Sequence, residues 1–565
     1  MTRSDRAVVT LALVTLVAIA GAMVLLPPPP APAVAAVASP APTPAPRILR
    51  DGVVGSITTL DPLFARSRPE LDVDALLFSG LTRLGPAGTV LPDLASSWKA
   101  ASNGRTWTFQ LRGGATWSDG VPVTADDVVF TVLTTQRPDY HGPLAGAWQG
   151  VSVQKIDRLD VRFTLSTPVA DFPLAARSPI LPSHLLVGQA LTDIAASSFE
   201  LQPVGSGPFR LVSLDTSGAL LQRVDTSSSG PSAIPSNPLD WQSSATVQQI
   251  AIDLFTDQQA LAAAFRSGTV DAAGGLSSDL VASLATAPGV NVVRYPRTVT
   301  TAVMLNLRFG HNLFQNVHVR RALLRAIDRD ALVRNQLGGL GVRADSLVPP
   351  GSWAFSATSA GHVAYDTKAA AADLVAAGWK RSGSGWLRPG STTKVTVELL
   401  TVDAATNPLD AAVAAQVAAA WKRIGLPVRL VTVSADQLVS GRLVPGKYDA
   451  AVVDLNVGLD ADLYPLLASS QAPVGGSNLS GFQSPKLDKL LEAARTYASQ
   501  ATRARRVAAV EADLTNEMPI LPIAYTDYAY VVRDTVHGPS STLISDPGER
   551  FWDVLTWRIA TPPGQ

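Results

Sequence analysis

A run of twenty apolar residues, Ala7 to Leu26, opens the chain behind Arg3 and Arg6 and stops against four prolines. Everything after it is constrained by this run. At about 1.5 Å of rise per residue, a helix of that length spans roughly 30 Å, the thickness of a bilayer core. Positive charge ahead of the run, with none just beyond it, orients the N-terminus inward and the remainder outward. The run exceeds the roughly 7–15-residue core of a cleaved signal peptide, which favours an uncleaved anchor. Ala33-Val34-Ala35 and Ala36-Val37-Ala38 offer small-residue cleavage sites, so both fates stay open, and both export the body. Residues 27–47, rich in proline, read as a semi-rigid linker of polyproline type. The expectation is a signal or anchor over 1–26, a linker over 27–47 and a folded body from 48.

That body is globular and large enough for more than one lobe. Apolar residues make up 46% of the chain and charged residues 16%, a balance that buries a large core rather than leaving the chain disordered. Lys+Arg and Asp+Glu are equal at 46 each, which argues against nucleic acid or an anionic membrane surface as the main partner. The absence of cysteine excludes disulfides, thiolate nucleophiles, thiolate metal ligands and a Cys-linked lipid anchor.

Hydrophobic periodicity changes character along the body. In "TWTFQL" Trp107, Phe109 and Leu111 alternate with polar residues, and in "DVRFTL" Val161, Phe163 and Leu165 do the same. Such strands suit antiparallel pairing with one solvated face. From about residue 300, helix and strand patterns alternate, the signature of an α/β lobe. "VRRALLRAI" sets Val319, Ala322, Leu323, Ala326 and Ile327 on one stripe, with Gly338-Gly339 as its stop signal. Asp366 and Ser484 are placed as N-caps, and Gly378 and Gly425 as helix ends. "YDAAVVDL" reads as a strand buried on both faces.

No nucleophile elbow, phosphate loop, dinucleotide fingerprint or zinc-protease motif occurs, and the six histidines are scattered without metal-ligand spacing. Neither a catalytic group nor a cofactor nor a metal site is expected. The carboxylates of "TWSDGVPVTADDVVFTV" (116–132) have backbone duties instead. Asp119-Gly120 signals a turn, Thr124 falls at an N-cap with Asp127 at N3, and Val123 and Val128 have hydrophobic-staple spacing.

The wider stretch from "LLFSGLTRLG" to "TADDVVFTV" resembles the signature region of the bacterial extracellular solute-binding proteins of family 5. "TTLDPL", "PVGSGPFRL", "VRRALLRAIDRDALV", "YDTKAAAADLVAAGW" and "YASQATRARRVAAVEADLTNEMPILPIAY" follow in the family's order, so the likeness spans roughly residues 50–530. The resemblance implies an α/β, two-lobed periplasmic-binding-protein-like fold of type II, cluster C, with a hinge and an extra strand-rich subdomain at about 88–200. The first lobe would comprise 48–275 plus 500–565, and the second 276–499. It further implies a monomeric receptor that takes a small peptide, or a similar solute, and presents it to an ABC permease on the outer face of the cytoplasmic membrane or in the periplasm. Within that family some members pair a ligand amine with an aspartate after a buried strand. Here the loop is "DLNVGLDADLYPLL", which lacks the family's tryptophan and its Asp-Pro-Asp, and offers Asp460 and, more weakly, Asn456.

Three more residues are candidates on their own chemistry. Trp353 sits in a Pro/Gly loop, Asn306 interrupts the apolar strand "VMLNL", and Asn478 lies in a Gly/Ser loop. For each, a role internal to the fold is the alternative. Rival functions are a nickel-complex or oligosaccharide receptor on the same fold, an exported hydrolase, and a tethered peptide sensor or chaperone without a transport role.

Overall fold

The computed structural model describes residues 48–560 apart from 103, 147, 225–246 and 405, so the apolar run and the linker lie outside the described residues. Among the described residues no helix is long and apolar enough to cross a membrane.

One mixed sheet runs through the body. Its strand order is Val428–Val433, Val397–Val402, Ala450–Asn456, Val290–Leu305, Ile520–Arg533, Ala272–Gly274, Ile48–Val54, Gln249–Phe255, Gly218–Arg223 and Phe209–Asp215, with Gly341–Arg343 attached to Ile520–Arg533. The two central strands are long and antiparallel, and each serves both halves of the sheet. Their ladder slips between Pro296 and Thr300, where proline cannot donate a ladder bond. Over this break Arg297 bridges to Ile544, and the Thr298 N–H donates to Ile544 O at 2.9 Å.

Each half buries its own core. On one side Leu49, Leu76, Phe209, Ile252, Tyr530 and Trp557 belong to one cluster. On the other, Val303, Leu323, Leu399, Val417, Trp421 and Val452 pack together on one face, while Met304, Leu400, Val453 and Leu487 cover the opposite face. Helix Gln500–Glu517 contributes Val507 and Val510 to that last cluster. It therefore packs with the half that follows residue 298, whereas the sequence grouped it with the first lobe.

The strand-rich unit is a separate four-stranded antiparallel sheet, in the order Ala95–Ala100, Thr106–Leu111, Asp160–Leu165 and Val151–Lys155. Trp107, Phe109, Leu111, Val161, Phe163 and Leu165 face its core, as their alternation requires. Helix Ala125–Thr135 covers that core. Asp127 stands at its N3 position, with Oδ2 accepting from the Thr124 N–H at 2.8 Å. Asp127 Oδ1 accepts from the Ser183 N–H at 2.9 Å and the Ser183 hydroxyl at 2.7 Å.

The helical stripe at 319–327 is buried as expected, but the helix ends at Arg325 rather than running towards Gly338. The reason is local. Asp328 accepts from the Ala331 N–H at 2.9 Å and starts a new turn, and a wider turn over Val333–Leu337 then leads to Gly338 in the left-handed region. Asp366 and Ser484 cap their helices as read.

Candidate functional site

Strand Ala450–Asn456 runs parallel to Val397–Val402 and antiparallel to Val290–Leu305. Its first four residues are buried, but Asp454 and Asn456 are exposed. Successive side chains alternate, so these two project from one face. The expected strand buried on both faces thus opens at its C-terminal end. Thr301, paired with Asp454, donates its hydroxyl to Asp454 Oδ1 at 2.6 Å.

Helix Pro408–Arg423 contributes to the same region. Asn407 caps it by accepting from the Leu409 and Asp410 N–H groups, and Asp410 lies in the first turn. Asp410 is 5% exposed, and its Oδ1 has no hydrogen-bond partner. Burial, then the nearby Asp454, pushes its pKa up to about 7, with Arg297 opposing. Thr401, on the neighbouring strand, also has an unpartnered hydroxyl. Open α/β sheets collect ligands at the carboxyl ends of their strands, beside helix N-termini.

Arg297 stands where the halves of the sheet meet. Its Nε is buried without a partner. Burial lowers its pKa, while Asp454 from one half and Asp546 and Tyr528 from the other oppose that effect; Arg68 adds to the lowering. Arg68 is itself fixed, donating to Tyr528 Oη at 2.8 Å and to Asp72 Oδ1 at 2.8 Å, with its guanidinium 4.5 Å from the Tyr528 ring centroid. The seam therefore presents carboxylates on one wall and guanidinium groups beside them, a pattern complementary to a zwitterion.

Three of the residues singled out in the sequence come together beside this seam. Asn456 Oδ1 accepts from Thr298 Oγ1 at 2.6 Å and the Gly458 N–H at 3.0 Å, and its Nδ2 donates to Ser545 O at 3.1 Å. Trp353 Nε1 donates to Leu459 O at 3.0 Å, in the loop that carries Asp460. Burial, then Asp462 and Asp171, pushes the Asp460 pKa up to about 6. Arg503 stacks 4.6 Å above the Trp353 ring and forms an ion pair with Asp171 of the strand-rich unit.

The other two candidates are elsewhere and are occupied. Asn306 is 1% exposed; it donates to Gly446 O and Tyr448 O and accepts from the Arg308 N–H. Asn478 is fully buried; it donates to Ala468 O and Phe482 O and accepts from Ser480 Oγ and the Gly481 N–H. With every polar atom satisfied inside the protein, neither has a group left for a ligand. Conversely, Asp454, Asp410 and Arg297 escaped the sequence. An aspartate ending an apolar strand was the available signal for the first of them.

The carboxylates at 119–127 are also engaged. Asp119 accepts from the Val121 N–H at 3.0 Å and lies 2.8 Å from His184 Nε2, while Asp126 pairs with Lys155 at 2.7 Å. Among the described residues no three His, Cys, Asp or Glu side chains are grouped to hold a metal ion.

Comparison with known proteins gives this geometry its context. The family profile of the bacterial extracellular solute-binding proteins, family 5 Middle, matches residues 89–476, more than half of the chain. Protein XP55 of Streptomyces lividans is 28% identical over 87% of this chain and 86% of its own. The oligopeptide-binding protein AppA of Bacillus subtilis is 25% identical over 90% and 92%. Among solved structures, NikZ from Campylobacter jejuni in complex with Ni(L-His) superposes with a TM-score of 0.72 at 24% identity, covering 90% of this chain and 99% of its own. At that identity the likeness speaks for the fold alone: two lobes, each with its own core, sharing the central strands. The profile match carries the assignment, and this chain belongs to family 5 of the bacterial extracellular solute-binding proteins.

Proposed function

We propose that this chain is the extracytoplasmic receptor of an ABC importer and captures short peptides between its lobes. The observation that supports this reading best is the seam itself. Asp410 and Asp454 offer a carboxylate pair for a ligand amine, and Arg297, on the strand paired with that of Asp454 and near enough to act on both carboxylates, offers a cation for a ligand carboxylate. In this reading the lobes hinge where the ladder of the two long strands slips, between Pro296 and Thr300 on one and near Tyr525 on the other, in place of boundaries at 276 and 500. Closing about that hinge takes the ligand's charges out of water, where each charge-assisted hydrogen bond counts for more. A ligand that bonds both walls has higher affinity for the closed form, and that difference is all that closure requires. No bond is made or broken. The permease as partner, the monomeric state and tethering through residues 7–26 accompany this reading as further proposals, supported by family membership and by the apolar run.

NikZ bound to Ni(L-His) supports a second ligand class, a metal–amino-acid complex, which carries the same amine and carboxylate. Calorimetric titration of the purified chain separates the two. Tri- to pentapeptides with free termini should bind, and their N-acetylated forms should bind at least about tenfold more weakly, the cost of a lost charged hydrogen bond. Heat with Ni–histidine and none with any peptide would overturn the peptide reading.

A further inference from the structure

The first lobe contains an apolar cavity of about 410 Å³. It lies between helix Arg68–Leu77, the strand-rich unit and the turn Pro547–Thr556, and Leu71, Phe78, Leu144, Phe551, Trp552 and Leu555 form much of its wall. That volume lies within the range of small-molecule sites, about 300–1,000 Å³. Arg297, Asp410 and Asp454 are not among its walls, so it is separate from the seam; the two approach one another at Asp546.

The arginines that reach this cavity are already engaged. Arg177 forms an ion pair with Glu549, Arg112 donates to Asp93 O, and Arg83 donates to Trp552 O at 3.5 Å. Asp74 is the exception. It lies in the cavity wall, is 5% exposed, and its Oδ1 has no hydrogen-bond partner. Asp61, fully buried with an unpartnered Oδ2, adds to the negative potential at Asp74. An unpartnered buried carboxyl is costly, and either a proton or a cation relieves it. Burial, with Asp61 and Glu70 nearby, raises the Asp74 pKa well above the usual carboxylate range.

We propose that the cavity is a second binding site, for a small organic amine with an apolar or aromatic body, whose ammonium group is received by Asp74. The apolar wall takes the body, and the ammonium displaces the Asp74 proton to solvent. The site is independent of the peptide reading of the seam.

Calorimetry on the full chain tests this with phenethylamine and its neutral counterpart, phenethyl alcohol. Phenethylamine should bind, the alcohol should bind at least about tenfold more weakly, and Asp74→Asn should reduce amine affinity to the level of the alcohol. Affinity for a free-amine tripeptide should be unchanged in Asp74→Asn. Leu144→Trp, which narrows the cavity while keeping the Asp74 carboxyl, should abolish amine binding and covers the case in which Asp74→Asn does not fold. Equal affinity for amine and alcohol, amine binding retained in both variants, or stoichiometric displacement of the amine by the tripeptide would each overturn the proposal.

Discussion

Arg550 is 1% exposed, at the centre of the first lobe, and joins the turn Pro547–Thr556 to strand Ile48–Val54 and helix Arg68–Leu77. It donates to Asp51 at 2.7 Å and to Asp72 at 2.6 and 3.0 Å, while Arg68 balances the second negative charge. Arg550→Met would strand the buried Asp51 carboxylate and leave Asp72 with Arg68 alone, and should destabilise the protein by roughly 3–5 kcal/mol, read from chemical denaturation. A loss below about 1 kcal/mol would show that water replaces the guanidinium. Asp454→Asn makes the opposite case. Asp454 is exposed, so stability should stay within about 0.5 kcal/mol, while peptide affinity should fall at least about tenfold if it holds the ligand amine. Unaltered affinity would remove Asp454 from the site. These two residues also show what single positions reveal. Asn306 looked available because a polar group in an apolar strand needs a partner; its partners, Gly446 O and Tyr448 O, lie some 140 positions away, beyond any local pattern. Arg297 gave no local signal, because what distinguishes it is the ladder slip beside it.

At the scale of elements, the sequence was most readable where backbone chemistry is local. Asp366, Ser484 and Asp127 are at helix starts because an unpaired N–H group within three residues has to be satisfied. Alternation in "TWTFQL" and "DVRFTL" set the buried face of the strand-rich unit for the same reason of short range. Reading failed where a second signal intervened, as at Asp328, whose cap divides a stripe that otherwise looks continuous. The helix at 125–135 provides a graded test. Thr124→Ala should cost about 0.5–2 kcal/mol. Asp127→Ala should cost more than Thr124→Ala, because its carboxylate also holds Ser183, 56 residues away, by two hydrogen bonds. Equal losses in thermal denaturation would mean that the Ser183 contacts are replaced by water.

At the scale of the whole molecule, the alternation of motifs exposed the α/β class, and the ordered resemblance exposed two lobes. The hinge proposed between them was not legible, since it rests on a slip at Pro296–Thr300 in the ladder of two strands far apart in sequence. Buried carboxyls make the stability of the whole depend on pH. Burial is the first cause that raises Asp61, Asp410 and Glu511 to about 7, above their unfolded values. The native state therefore holds protons that the unfolded chain releases between about pH 4 and 7, and stability should decline as pH rises through that window. Glu70 acts in the opposite direction. Burial opposes its ionisation, but bonds from Thr58, Arg66 and Ser67 outweigh that and lower it to about 2, so its contribution is lost as pH falls from about 4.5 towards 2. A denaturation midpoint that rises steadily from pH 4 to 7 would contradict this. Closure should depend on one further contact between lobes. Arg503 is 6% exposed in the second lobe, reaches Asp171 in the strand-rich unit and stacks on Trp353, and nearby Tyr497 meets the Trp107 ring edge-on at 6.3 Å. Trp353 belongs to the same lobe as Arg503, so opening would break the Asp171 pair and the Tyr497–Trp107 contact, and these two favour the closed form even without ligand. Arg503→Ala should then shift the ligand-free ensemble towards open, raising the radius of gyration in small-angle scattering. It should also weaken apparent affinity by the factor by which the closed fraction falls, with ligand contacts in the seam unchanged. Arg503→Lys retains the charge but not the planar stack, and should fall between wild type and Arg503→Ala. Identical scattering profiles for all three proteins would show that the Asp171–Arg503 pair sits on the seam without biasing closure.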